Sequence, residues 1–204
     1  MIKVSVLIPV WNQEKLVIRA LDSFPRRDDI EIFVCDDAST DNTLAVLRKY
    51  KKDNPDLNLV VLHNKENKGF AGTFNKLIDK VSGEYFTCLG SDDYLYTEEW
   101  ERVIEQLDGT DIVCFDCRKN DGTVFNVTDE SKVVLCGQGL RFYRTAKLGD
   151  IKMNAQMRAG ADYPYNLACI ERGATHKFTG IVAAHYNFPR EGSLSYLIRT
   201  GVIK

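Results

Sequence analysis

The sequence predicts an α/β fold in which helices flank a mostly parallel central sheet. Short runs rich in Val, Ile and Leu alternate with segments of helical periodicity, the pattern of strands joined by helical crossovers. The composition, 44% hydrophobic and 27% charged, is close to the average for folded proteins, which excludes a disordered chain or a coiled coil. With 204 residues the chain has the size of one large domain.

The first elements follow from local patterns. Lys3–Val10 is apolar and β-branched, which predicts a buried strand. Glu14–Phe24 places apolar residues at helical spacing and is ended by Pro25. Ile30–Cys35 is a second apolar strand, and Thr43–Tyr50 is predicted as the helix that follows it.

The same alternation continues to the middle of the chain. Leu57–His63, Glu84–Leu89 and Asp111–Cys117 are predicted as three further strands. Phe70–Val81 and Thr97–Leu107 have apolar residues at helical spacing and are predicted as helices between those strands. Strands that alternate with helices of about 8 to 12 residues favour parallel pairing.

The pattern weakens after Arg118 into loops and short elements, with a hairpin expected around Asp121–Gly122. No linker rich in Pro, Gly or Ser separates the two parts, so we expect residues 111–204 to complete the domain that residues 1–110 begin. The net charge is −8 over residues 1–129 and +6 over residues 130–204. A basic second half suits an anionic partner such as nucleic acid, lipid phosphate or an acidic polymer, and equally suits scattered solvated charges.

No apolar run approaches the roughly 20 residues of a membrane helix, and the N-terminus lacks a signal-peptide pattern. We therefore expect no transmembrane segment and a cytoplasmic location. The six cysteines lie mostly in apolar stretches, which suits reduced, buried thiols. Cys114 and Cys117 have the spacing of half a zinc site, but positions three apart in a strand point to opposite faces.

Candidate site residues, several of them acidic, lie at the carboxyl ends of the predicted strands, where open α/β sheets bind ligands. They are Pro9 and Trp11 at the first strand, Asp36 and Asp37 at the second, Asn67 and Gly69 after the third, and Asp92 and Asp93 after the fourth. Two carboxylate clusters at one sheet edge repel each other unless a cation compensates them. Mg²⁺ and Mn²⁺ bind carboxylates together with substrate phosphates, so these residues predict a metal-bound phosphorylated ligand. Helix capping and a simple turn stay open as alternative roles for the two acidic pairs.

Five segments in order resemble the family 2 inverting glycosyltransferases, which have the GT-A fold. They are Val4–Asn12, Cys35–Thr43, Asn67–Asn75, Ser82–Tyr85 and Leu89–Asp93, and weaker similarity continues at Gly160–Tyr163 and Tyr186–Ser195. The resemblance implies a Rossmann-like GT-A domain. Within it, residues 1–110 would form the half that binds the nucleotide-sugar and residues 111–204 a smaller half that binds the acceptor.

The resemblance also implies roles for the nucleotide side of the site. Pro9 and Trp11 would frame the base, and Asp37, with Asp36 beside it, would accept a hydrogen bond from it; Asn67 and Gly69 belong to the same nucleotide-binding set. Asp92 and Asp93 resemble the metal motif, one holding Mn²⁺ or Mg²⁺ and the other the ribose or donor sugar, and Asp92 is expected to contact the nucleotide as well. Gly90 stands where the family usually has a leading aspartate.

Asp162 resembles the family's general base, with Glu191 as the next candidate. His185 is expected as a late metal ligand, and His176 is a second candidate for a ligand or diphosphate contact. Arg190 and Ser193 resemble a segment that closes over the diphosphate.

The predicted activity is metal-dependent transfer of one sugar, with inversion, from a UDP-linked donor to a hydroxyl of a glycan. Two alternatives stay open. The acceptor could be an anionic polymer, including a hydroxylated base in DNA, or the chain could bind a nucleotide-sugar without turnover, which Gly90 favours and Asp162 opposes. A nucleotidyltransferase would need a glycine-rich basic loop after the first strand, and Trp11–Glu14 does not provide one. The donor sugar and the oligomeric state are not predicted.

Overall fold

The computed structural model describes residues 1, 3–125, 139–157, 159–188 and 190–191, which form one mixed sheet with helices against both faces. The strands are β1 (Val4–Val10), β2 (Ile30–Asp36), β3 (Leu59–His63), β4 (Tyr85–Cys88), β5 (Tyr94–Leu95), β6 (Ile112–Lys119), β7 (Val124–Phe125), β8 (Leu140–Arg144) and β9 (His176–Tyr186). The helices are α1 (Val17–Asp22), α2 (Thr43–Asp53), α3 (Gly69–Ile78), α4 (Trp100–Glu105), α5 (Thr145–Leu148) and α6 (Asp162–Glu171).

The strand order is β3-β2-β1-β4-β8-β6-β9-β5, and β7 pairs with β6. The strands β1 to β4 are parallel to one another, as the alternating pattern predicts. Beyond β4 the pairing changes, because β8 runs antiparallel between β4 and β6 and β5 runs antiparallel to β9. Among the described residues, only β6 and β9 add a parallel pair there, so the sheet is mixed rather than mostly parallel in its second part.

The sheet is buried on both faces by two separate apolar clusters. Along β1, Val4, Val6, Ile8 and Val10 face the cluster that contains side chains of α1, α2 and α4. Leu7 faces the other cluster, which contains side chains of α3, α5 and α6. Burial on both faces explains why β1 and β2 are apolar almost without interruption.

All the predicted strands and helices are present, with shifted ends. The predicted helix Thr97–Leu107 begins as a single 3₁₀ turn at Thr97–Glu99 and continues as α4. The expected hairpin is confirmed, because β6 and β7 pair around Asp121–Gly122. Cys114 and Cys117 lie in different apolar clusters, on opposite faces of β6. Cys136 and Ser193 lie outside the described residues.

None of the helices in the described ranges has both the length and the apolar character that a membrane span requires.

Candidate active site

Two turns with left-handed backbone form the edge of the site at the ends of β1 and β2. Asn12 has a φ of 52° and Ala38 a φ of 57°. Asn12 N–H donates to Ser39 Oγ at 2.9 Å, and Thr40 N–H donates to Asn12 Oδ1 at 2.8 Å. Non-glycine residues seldom adopt this conformation, and where they do it is often at a functional site. Because these hydrogen bonds join the two turns, the residues around them are held in fixed positions.

Trp11 lies directly before this turn and is 51% exposed. Pro9, two residues earlier in β1, is partly buried. Because half of the Trp11 side chain is open to solvent, the residue is not part of the core. Its ring can therefore stack on a ligand, as the sequence predicts.

Asp36 and Asp37 are both buried at the end of β2. Asp37 Oδ1 accepts hydrogen bonds from Asn64 Nδ2 at 2.7 Å and from the Lys68 N–H at 2.9 Å, which ties β2 to the start of α3. Asp36 Oδ2 accepts the Ser39 N–H at 3.3 Å, whereas its Oδ1 has no hydrogen-bond partner among the described residues. Asp37 thus anchors the loop, whereas Asp36 has a carboxylate oxygen that no described residue occupies.

Asn67 and Gly69 lie in the turn that opens α3. Asn67 Nδ2 donates to the Asp37 carbonyl at 3.2 Å, and its Oδ1 accepts the Gly69 N–H at 3.1 Å. Gly69 has a φ of +71°, a conformation that favours glycine. Both residues therefore shape the loop beside Asp37, and their expected contacts with a nucleotide stay predictions.

Asp92 and Asp93 follow β4 and are held by residues distant in the sequence. Asp92 Oδ2 accepts a hydrogen bond from Arg190 Nε at 2.8 Å, and the Asp92 carbonyl accepts one from Arg19 at 2.7 Å. Asp93 Oδ1 accepts the Asn187 N–H at 2.8 Å. The segment after β9, expected to lie over a diphosphate, thus contacts both carboxylates.

The pKa of Asp93 is raised from 3.8 to about 7. Removal of its carboxylate from water is the main cause, and the charge of Asp92 adds to it. The Asn187 N–H and the charges of Arg19 and Arg190 oppose this shift. Two adjacent carboxylates that cannot both ionise easily are the electrostatic situation that a bound cation relieves.

A side chain at position 90 would occupy space that the Asp93 carboxylate fills. A Cβ atom at position 90 would lie 2.4 Å from Asp93 Oδ2, far inside contact distance. The absence of the usual leading aspartate is therefore linked to the position of the Asp93 carboxylate. Asp92 and Asp93 are left as the acidic residues of this motif.

His185 lies near the end of β9 and stacks on Tyr94, with ring centroids 4.7 Å apart. The Arg19 guanidinium carbon also lies over the Tyr94 ring, 4.8 Å from its centroid. His185 Nε2 is 2.8 Å from Asn120 Oδ1. Burial, followed by the charges of Arg19 and Arg118, lowers the pKa of His185, so the ring is neutral near neutral pH. Its role as a metal ligand stays a prediction, since no three acidic, His or Cys side chains converge on one point in the described ranges.

A cavity of about 200 Å³ joins the two parts of the chain. Its lining includes Phe70, Phe74, Cys88, Gly90 and Asp93 from the first part, and Arg141, Tyr143, Asp162, Asn166 and His185 from the second. The charges of Asp162 and Asp93 both act on Cys88 and, with burial as the main cause, raise its pKa to about 12. The structure thus brings the base candidate and the metal candidate to one cavity.

The remaining predicted residues are less central. His176 begins β9, whereas the cavity is lined by the end of that strand, so the structure does not bring His176 to the site. Glu191 is exposed. Arg190 is placed by its contact with Asp92.

Several residues at the site carry no signal that singles them out in the sequence. Arg19 lies within the amphipathic pattern of α1, and Tyr143 and Arg141 lie in the region read as short irregular elements. Asn166 could have been found, because it follows Asp162 by four residues in a helix and must share its face.

The sequence matches the model of Glycosyl transferase family 2 over residues 5–172, most of the chain. A poly(ribitol-phosphate) beta-N-acetylglucosaminyltransferase, TarS of Staphylococcus aureus, is 26% identical over 212 residues, covering 94% of this chain and 36% of TarS. The chain therefore spans about a third of that relative's length.

Two solved structures have the same fold. TarS residues 1–349 in complex with UDP-GlcNAc match with a TM-score of 0.80 at 23% identity, covering 94% of this chain and 60% of the other. The mannosyltransferase PcManGT of Pyrobaculum calidifontis, in complex with GDP-Man and Mn²⁺, matches with a TM-score of 0.75 at 22% identity, covering 97% and 60%. These similarities confirm the α/β fold of the GT-A type.

Proposed function

The chain belongs to glycosyl transferase family 2, and on this premise we propose that it is a metal-dependent inverting enzyme that moves one sugar from a UDP-linked donor to a hydroxyl of a glycan. The observation that carries the proposal is the single cavity lined by Asp93 and Asp162. One carboxylate belongs to the metal motif after β4, and the other begins α6. A transferase needs this separation of tasks, because the leaving group and the attacking hydroxyl lie on opposite sides of the sugar carbon.

The donor side is supported by the edge formed by β1 and β2. Exposed Trp11 offers a ring for stacking, and base stacking on an aromatic face contributes roughly 1 to 3 kcal/mol. The resemblance gives the base contact to Asp37, whose Oδ1 already accepts hydrogen bonds from Asn64 and Lys68. Asp36 beside it keeps one buried acceptor oxygen without a partner among the described residues, which suits the N–H of a uracil base. TarS, a relative in sequence and in fold, has been solved with UDP-GlcNAc.

The residues present fit a divalent cation. Asp92 and Asp93 would hold Mn²⁺ or Mg²⁺. The pKa of Asp93 is raised by burial first and by the charge of Asp92 second, and a cation would offset both. Two carboxylates suffice where substrate phosphates complete the coordination. When bound there, the ion would act as a Lewis acid for the departing diphosphate. Arg190, beside Asp92, adds a positive charge at the same place.

The chain's own residues supply the rest of the reaction. The acceptor oxygen attacks the anomeric carbon from the face opposite the diphosphate, and the bond from that carbon to the diphosphate oxygen breaks with its electron pair. The proton of the acceptor hydroxyl passes to the Asp162 carboxylate, which lines the cavity that would hold the sugar. A single displacement of this kind inverts the anomeric configuration.

The acceptor we propose is a glycan or a polyol polymer. TarS is named for transfer to poly(ribitol-phosphate), an anionic polymer, and the second part of this chain is basic. No relative described above is named for a nucleic acid, so a DNA acceptor is without support. A binding protein without turnover is disfavoured by the placement of Asp162 in the same cavity as Asp93.

Thermal unfolding with UDP, with Mn²⁺ and with both tests the donor assignment without an acceptor. Ligand binding to the folded state adds about 2.7 kcal/mol at a hundredfold excess over Kd, so UDP with Mn²⁺ should raise the unfolding temperature. Asp92→Asn should reduce the contribution of Mn²⁺, whereas Glu105→Gln, an exposed change on α4, should not. Identical unfolding temperatures in all conditions would contradict the proposal.

A further inference from the structure

The part of the cavity wall formed by α6 contains a polar group that the proposed reaction does not use. Asn166 is 1% exposed and lines the cavity. Its Oδ1 accepts a hydrogen bond from the Tyr143 O–H at 2.8 Å. Its Nδ2 has no hydrogen-bond partner among the described residues. A buried amide donor without a partner destabilises a fold, and such groups commonly meet a ligand or an ordered water.

The orientation of this carboxamide is fixed by Tyr143. The Tyr143 ring stacks on Phe86, with centroids 5.2 Å apart, and packs edge-on against Tyr165 at 5.6 Å. Burial raises the pKa of Tyr143 far above its usual range, so its hydroxyl stays a hydrogen-bond donor. The oxygen of Asn166 is therefore occupied by Tyr143, and its NH₂ group is the part left for a ligand.

Asn166 lies on the same face of α6 as the base candidate. Asp162 and Asn166 are four residues apart, which places their Cβ atoms about 5 to 6 Å from each other, and both line the cavity. Asp162 is partly exposed and Asn166 is buried, so Asn166 lies deeper. A sugar whose anomeric carbon lies near Asp162 would reach Asn166 with another of its oxygen atoms.

We infer that Asn166 is a specificity-determining residue that donates a hydrogen bond from Nδ2 to a hydroxyl or N-acetyl oxygen of the donor sugar. The inference rests on the proposed function, because it assumes that the cavity holds the sugar of a nucleotide-sugar. The donor is favoured over the acceptor because Asn166 is enclosed, with Cys88 and Asp93 lining the same cavity. A polymeric acceptor has to enter from the open side, where Asp162 is partly exposed.

The test compares the affinities of UDP, UDP-GlcNAc and UDP-glucose, each with Mn²⁺, for the whole chain and its variants. Asn166→Ala and the isosteric Asn166→Asp both remove the amide donor, and Asn166→Asp keeps an oxygen for Tyr143. The sugar-dependent part of the affinity is the ratio of the Kd of UDP to the Kd of the better UDP-sugar. This ratio should fall by about 3- to 10-fold in both variants, which is the effect of losing one neutral hydrogen bond. UDP affinity should stay within about twofold in Asn166→Ala. Asn154→Asp, the same substitution at an exposed position in this part of the chain, should leave the ratio unchanged.

The outcomes separate the two proposals. An unchanged ratio in both Asn166 variants overturns the role of Asn166 and leaves the proposed function intact. An equal loss of affinity for UDP and for UDP-sugars shows a structural role only and also overturns it. A wild-type chain that binds neither UDP nor a UDP-sugar overturns the proposed function and this inference together.

Discussion

Asp93→Asn should stabilise the protein and abolish its metal dependence. The substitution keeps the shape of the side chain and an oxygen that can accept the Asn187 N–H, the bond observed at 2.8 Å. It removes a negative charge that lies next to Asp92 and is largely withdrawn from water. The carboxylate thus costs the fold stability that a bound cation would restore.

The sign and size follow from the pKa. In the folded protein the pKa of Asp93 is about 7, against 3.8 for an ordinary aspartate, so the folded state binds the proton more tightly. This contribution to stability is complete at low pH and is lost as the pH rises from about 4 through about 7. A shift of this size corresponds to roughly 4 kcal/mol, of which about 3 kcal/mol is lost above about pH 5. Asparagine does not ionise, so the variant does not lose this stability as the pH rises.

Urea unfolding of wild type and Asp93→Asn without metal, at about pH 5 and about pH 8, measures this difference. The difference in free energy of unfolding between the variant and the wild type should be about 2 to 3 kcal/mol larger at about pH 8 than at about pH 5. The stabilisation that Mn²⁺ adds to that of UDP should be present in the wild type at the higher pH and absent from the variant. Glu105→Gln, an exposed change, should follow the wild type at both pH values. A variant that is no more stable than the wild type at about pH 8 would refute the reasoning.

Three further substitutions test the site. Because Trp11 is 51% exposed, Trp11→Ala should change the free energy of unfolding by less than about 0.5 kcal/mol. Calorimetry should show UDP binding weakened by roughly 1 to 3 kcal/mol in Trp11→Ala and unchanged in Trp11→Tyr. A large loss of stability in Trp11→Ala would argue against a stacking role. Asp162→Asn should slow sugar transfer by roughly 10² to 10⁴-fold and leave the Kd of the UDP-sugar within about threefold, and retained transfer would assign the base elsewhere, with Glu191 next. Gly90→Ala should displace the Asp93 carboxylate, since the new Cβ would lie 2.4 Å from its Oδ2. A titration with Mn²⁺ should then show weaker metal binding than in the wild type. Unchanged binding would mean that this carboxylate does not hold the ion.

The sequence was sufficient to place Asp37 and Asp93 at one edge of the sheet, because that placement depends on local order. Parallel strands joined by helices bring their carboxyl ends to the same edge, and these two residues follow two such strands. The other wall depends on pairing between distant segments. Tyr85 in β4 pairs with Arg144 in β8, and no periodicity in either segment indicates that partner.

The same long-range pairing joins the two halves of the chain in one sheet. The strand β4 precedes Asp93 and pairs on one side with β1 and on the other with β8, which belongs to the second half. The wall that carries Asp162 and Asn166 therefore packs on a sheet that both halves build. A cut at residue 110 would expose the edge of β4, which pairs with β8, and would remove Asp162, the residue that we propose as the base.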